Sequence, residues 1–258
     1  MNMLNKQKYY REPSVFRPEN LLREARRQKL TMDCKIPGVC VLDPDGDIVD
    51  FLIKSGKATL NKCWSCYHTQ MYEFDNQWIK IGIIGRAVGA SFAVLLAEQM
   101  FVSGCELLIS MTSAGIVTPP PEGARFILIE EALRDEGTSY HYLPPDETAS
   151  IDTELLSQLQ SLTSRTDLAT AIGNSWTTDA PYRETKRAIE YAKSKGITAV
   201  EMEASALYAF AKVRNKRVVC FAHLTNNMAQ EGEDFEKGVE SGSLDSLEVI
   251  YQTIACLM

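Results

Sequence analysis

Two carboxylates, Glu201 and Glu203, flank Met202 where the β-branched run Ile197-Thr198-Ala199-Val200 gives way to a helical pattern with Ala204, Leu207, Tyr208 and Ala211 on one face. At the C-terminal edge of a buried strand the backbone turns outward, and side chains there project into the crevice where open α/β sheets bind ligands. Glu201 then points to one side and Glu203 to the other, with Met202 as an adaptable apolar wall between them. The plain alternative is that Glu203 sits in the first turn of a helix and is favoured by its dipole. Upstream, Trp176-Thr177-Thr178-Asp179-Ala180-Pro181-Tyr182-Arg183-Glu184 follows the apolar run 168–172 and is too polar and proline-broken to extend it. It reads as a loop whose hydroxyls, acid, aromatic and arginine form a recognition surface.

Two further stretches suit an anion. The strand Ile79–Ile84 runs through Gly85-Arg86-Ala87-Val88-Gly89-Ala90-Ser91 into a helix from about Ser91 to Val102. Free amides at such a helix start face the crevice, and Arg86 adds a forked donor. The full dinucleotide fingerprint is missing, so a simple tight turn is the competing reading. After the strand Cys105–Ser110, Met111-Thr112-Ser113-Ala114-Gly115 offers two hydroxyls that can donate to phosphate or sugar oxygens, or merely cap their own turn.

The elements that must hold these groups alternate. Strands are expected at Val39–Leu42, Ile79–Ile84, Cys105–Ser110, Arg125–Ile129, 168–172, Ile197–Val200 and Arg217–Leu224. Helices are expected over Glu19–Gln28, the 91–102 stretch, Leu155–Leu162, the segment after Glu203, and Leu244–Leu257. This pattern predicts a single-domain α/β fold, a three-layer α/β/α sandwich with a mixed central sheet. Residues 1–36, broken by Pro13 and Pro18, form a peripheral segment, and 37–258 form the domain. A chain of 258 residues with 45% hydrophobic side chains is long enough for one sizeable core.

Other features narrow the classes. The net charge of −7 has no basic block, so neither nucleic acid nor an anionic membrane is an expected partner, and no apolar stretch is long enough to span a bilayer. Seven cysteines, an odd number in apolar surroundings, suit reduced thiols in a cytosol. Cys63-Trp64-Ser65-Cys66 lacks a second ligand pair for zinc and is read as structural. Asp43-Pro44-Asp45-Gly46-Asp47 lacks the ligand spacing of a calcium loop and is read as a turn. Neither a metal nor a cofactor is implied. His141, among tyrosines in the polar loop 133–142, is read as a packing residue.

The segments VEMEASALYAFA and TTDAPYRE resemble the purine and uridine nucleoside phosphorylase family, and the resemblance extends over most of the chain. It implies a cytoplasmic enzyme that cleaves the N-glycosidic bond of a nucleoside with inorganic phosphate. It also implies a homo-oligomer, a dimer or a hexamer of dimers, in which a neighbouring subunit completes the site. Ser14-Val15-Phe16-Arg17 faintly resembles the donated segment. By the same resemblance Glu203 accepts hydrogen bonds from ribose hydroxyls, with Glu201 beside it and Met202 packed on the sugar. Arg86, Ser91 and Thr112 serve phosphate, Arg187 or Thr185 faces the base, and Ser113 and Tyr182 are further substrate-binding candidates. The chain departs from the pattern at several places, among them Thr185-Lys186-Arg187, which keeps only half of the glutamine-x-arginine pair typical of uridine members. Asp47 and Ile109 stand near two expected phosphate arginines, which favours a nucleosidase or a silent nucleoside-binding protein as alternatives. Asn226 replaces an acid common in purine members; an amide cannot supply a proton, so a base leaving as a stabilised anion, such as uracil, is expected.

Overall fold

The computed structural model describes residues 8–76, 78–121, 123–164, 169–227 and 237–258, with the backbone alone at 164, 226 and 227. In chain order the elements are α1 (Pro18–Lys29), β1 (Val39–Asp43), α2 (Asp47–Lys54), β2 (Thr59–Leu60), β3 (Tyr72–Asn76), β4 (Ile79–Gly85), α3 (Ala90–Ser103) and β5 (Leu107–Ile116). They continue with β6 (Phe126–Asp135), β7 (Thr148–Ser150), α4 (Thr153–Leu159), β8 (Thr170–Thr178), α5 (Lys186–Ser194), β9 (Ile197–Glu201), α6 (Ala204–Arg214), β10 (Arg217–Asn227) and α7 (Ser243–Leu257).

The sheet is mixed and carries helices on both faces, as expected. β1 lies parallel between β4 and β5, while β5 and β9 pair antiparallel. The sheet also closes on itself. β10 pairs with β5 in parallel and with β6 antiparallel, and β6, β8 and β9 lead back to β5, so these five strands form a ring. Val41, Ile83, Leu108 and Val219 are fully buried along its central strands. α1, α3 and α6 stack on one side, and α2 packs with α7 on the other.

Local signals explain most boundaries. Pro18 opens α1, the Asp152 carboxylate accepts from the Glu154 and Leu155 amides to start α4, and Asn215 closes α6 in the left-handed region. Three polar stretches read as loops are instead strand. Met111–Gly115 lies inside β5, β6 continues to Asp135 past an irregularity between Ile129 and Ala132, and Trp176–Thr178 completes β8. Their partners supply the reason: ladder bonds from β10, β8 and β9 hold polar residues in extended conformation, and Ser175 and Thr177 are wholly buried. Leu168, expected to begin β8, lies outside the described residues.

The cysteine expectation needs correction. Cys63 is joined to Cys34 in a disulfide, which ties the segment after α1 to the loop before β3, whereas Cys66 is a buried free thiol. The pairing partner is 29 residues away and carries no local motif. No helix among the described residues is long and apolar enough to cross a membrane.

Candidate active site

β9 ends at Glu201, and α6 starts at Ala204 with Glu203 at the N-cap position, where its side chain makes no bond to the helix. The two carboxylates have different partners, and both are buried. Glu201 bonds β8 and the start of α6. It accepts from the Ser175 and Thr177 hydroxyls at 3.0 and 2.5 Å and from the Glu203 and Ala204 amides at 2.7 Å each. Four donors satisfy it, so it fixes the first turn of α6 from within instead of reaching a ligand. Glu136 extends this network by accepting from Ser205 Oγ at 2.9 Å. Met202 is half-buried between the two acids.

Glu203 bonds a different set of elements. Its Oε1 accepts from the Gly89 amide at 2.7 Å and its Oε2 from Thr112 Oγ1 at 3.1 Å. The strand end, the glycine turn and β5 therefore meet at one carboxylate. Gly89 has a φ of 96°, a conformation that favours glycine, and this turn aims its N–H at Glu203. Burial pushes the Glu203 carboxyl up to about 8, and the nearby charge of Glu201 adds to the rise. Burial likewise raises Glu201, against the pull of its hydrogen bonds.

A second group sits on the adjacent residue of β5. The Ser113 amide donates to Asp45 Oδ2 at 2.8 Å, and Lys237 Nζ lies 3.5 Å from Asp45 Oδ1 and 2.6 Å from Asp47 Oδ2. Asp43 shapes the turn that carries Asp45, accepting from the Gly46 and Val49 amides at 3.1 and 2.9 Å. Its burial pushes it up to about 7. Asp47, near an expected arginine, begins α2 and is met by Lys237. Ile109 is fully buried in the core.

The remaining candidates are dispersed. Arg86 has a φ of 61°, and its guanidinium turns to Asp50 at 2.5 Å on a largely exposed surface. Ser91 is exposed on α3 and borders a groove beside the N-terminal segment, together with Tyr9, Phe16 and Tyr142. Tyr182 is fully exposed in a short 3₁₀ turn, and Thr185 accepts from the Ala188 amide at 3.3 Å to cap α5, whose first turn holds an exposed Arg187. Asn226 ends β10 beside the irregularity at Leu224, and its side chain lies outside the described part. Glu203, Thr112 and Ser113 are thus brought together, with the Gly89 amide, Asp45 and Lys237 added by the fold. Only the glycine turn among these additions had a local signal; Asp45 looked like a turn residue, and Lys237 arrives from 190 residues beyond Asp47.

Residues 65–255 match the model of the phosphorylase superfamily. The chain belongs to that family. The phosphorylase superfamily member is 22% identical to a guanosine phosphorylase of Halorubrum lacusprofundi over 64% of its own length and 70% of the relative's. It is 25% identical to a uridine phosphorylase of Thermococcus kodakarensis, again over 64% of its length, and spans 65% of that relative. In fold it matches the crystal structure of a purine nucleoside phosphorylase from Toxoplasma gondii, solved with immucillin-H, with a TM-score of 0.71 and 16% identity. That match covers 87% of this chain and 91% of the other.

Proposed function

We propose that this chain is a nucleoside phosphorylase that breaks the N-glycosidic bond of a nucleoside, uridine or a related pyrimidine nucleoside, and passes the ribosyl group to phosphate. The observation that carries this reading is Glu203, a buried carboxyl at a strand end where the Gly89 amide and Thr112 hydroxyl converge. Ribose hydroxyls are donors that suit such a carboxylate, and Met202 flanks it as an apolar wall. Glycosidic cleavage passes through an oxocarbenium-like sugar, for which the protein's tasks are positioning and charge stabilisation. With burial raising its pKa to about 8, Glu203 is largely protonated at neutral pH. Hydroxyl donors favour the charged form, so nucleoside binding releases a proton.

Asn226 supports the pyrimidine assignment, because an amide can hydrogen-bond a base but cannot protonate a purine ring. Uridine is expected to exceed inosine in specificity by at least about tenfold, roughly 1.4 kcal/mol in transition-state preference. A partner copy fits the N-terminal segment, where Val15 is 98% and Phe16 72% exposed. The site would then be completed between subunits. Incubation of a nucleoside panel with and without phosphate tests the function. Ribose 1-phosphate supports phosphorolysis, free ribose shows hydrolysis, and the absence of base release under both conditions removes the enzymatic reading.

A further inference from the structure

The anion side of this crevice has an unusual occupant. β1 and β5 pair only as far as Leu42 and Ser110, so beyond that point β5 loses its β1 neighbour on one edge while β10 stays paired on the other. The Ser113 N–H therefore has no β1 ladder partner and donates to a side chain instead, next to the Thr112 hydroxyl that meets Glu203. An amide of this kind together with an ammonium group is what a phosphate needs. Both are present, yet Asp45 touches both, and Lys237 is also bonded to Asp47 at 2.6 Å. Asp45 accepts from the Ser113 amide at 2.8 Å and lies 3.5 Å from Lys237 Nζ.

The turn makes this contact a built one. Asp43 receives the Gly46 and Val49 amides, which closes the bend and starts α2, and Asp45 stands between them with its side chain 31% exposed. Lys237 is 14% exposed and spans Asp45 and Asp47, so its charge is balanced within the protein before any anion arrives.

We propose that Asp45 is a built-in competitor for the anionic co-substrate: phosphate binds by displacing its carboxylate from the Ser113 amide and from Lys237. This rests on the phosphorylase reading for its kinetic consequence, but phosphate binding itself can be measured without turnover. On displacement Asp45 swings to solvent through its exposed edge, and phosphate takes the amide and the ammonium. Phosphate affinity is thereby set below what the donors alone would give.

Two variants test this, with inorganic phosphate as the probe. Asp45→Asn keeps an acceptor for the Ser113 amide and removes the charge, whereas Asp45→Ala removes both. Calorimetric phosphate affinity is expected to rise about tenfold in Asp45→Asn, at least as much in Asp45→Ala, and the KM for phosphate to fall in parallel. The KM for nucleoside serves as the internal reference and moves less. Lys237→Met should remove phosphate binding in both the parent and Asp45 backgrounds. Phosphate affinity that is unchanged or weaker in both Asp45 variants overturns the proposal, even if base is released. If no nucleoside is cleaved but the affinities rise as stated, the phosphorylase reading fails and the competitor role stands.

Discussion

Replacing Glu203 by glutamine separates what this residue does for the fold from what it does for a substrate. The amide oxygen can still accept from the Gly89 N–H at the present 2.7 Å, and its NH₂ meets a Thr112 hydroxyl that rotates to accept. What is lost is a buried charge. In the folded protein the Glu203 carboxyl lies at about 8 against an ordinary 4.5, chiefly through burial and then through Glu201. Between these values the folded state binds more protons than the unfolded chain, so this group's contribution is greatest below pH 4.5 and declines as pH rises to 8. The decline is at most on the order of 5 kcal/mol. Glu203→Gln cannot show it. Urea titrations at pH 5.5, 7 and 8.5 should therefore find the variant gaining on the parent as pH rises and more stable than the parent at pH 8.5. Turnover should move the opposite way. Loss of a hydrogen bond between a charged group and the ribose costs about 1.5–3 kcal/mol, one to two orders of magnitude in rate. Parallel pH–stability curves would refute the buried-charge argument, and undiminished base release by a folded variant would refute the sugar contact.

Arg86→Ala should change phosphate KM by less than about twofold, because its partner Asp50 is 55% exposed and such surface pairs contribute little; steady-state kinetics decide this. Gly242→Ala should destabilise by about 1–3 kcal/mol in thermal or urea unfolding, since an added Cβ would collide with the His223 ring, which is stacked on Phe126, and φ there is +70°. Thiol titration of the denatured, unreduced protein should find five groups, Cys40, Cys66, Cys105, Cys220 and Cys256, and all seven after reduction. Closing a loop of 29 residues should contribute about 3–4 kcal/mol, measured as the stability lost in Cys34→Ser.

The elements legible in the sequence were those whose apolar period survives to their ends. β4, α3, β9 and α7 match their periodic runs to within about two residues, a normal margin at element ends. β5, β6 and β8 were shortened because their last residues are polar. Thr112, Glu131 and Thr177 look like loop chemistry, but their backbone bonds come from strands distant in sequence, and Thr177 has a buried carboxylate to bond. The site divides the same way. Glu203 was visible because an acid between a β-branched run and an apolar helix face needs an explanation. Asp45 and Lys237 were not, since their meaning depends on a Ser113 amide that the parting of β1 from β5 leaves without a β1 ladder partner.

The closing of the five-strand ring by β10 has a consequence for synthesis. Arg217 pairs with Leu107, so the strand between β5 and β6 emerges from the ribosome 110 residues after its first partner begins. Until then β5 and β6 keep unpaired edges, which invite pairing with other chains. The Ser113 amide and Thr112 hydroxyl have no rigid backing during that interval, and Lys237 has not yet been made. A chain stopped before residue 217 would carry Glu203 and the glycine turn but not the completed ring. Its folding is governed by a late, long-range pairing, which slows the final step and makes the C-terminal region the last gate to a working crevice.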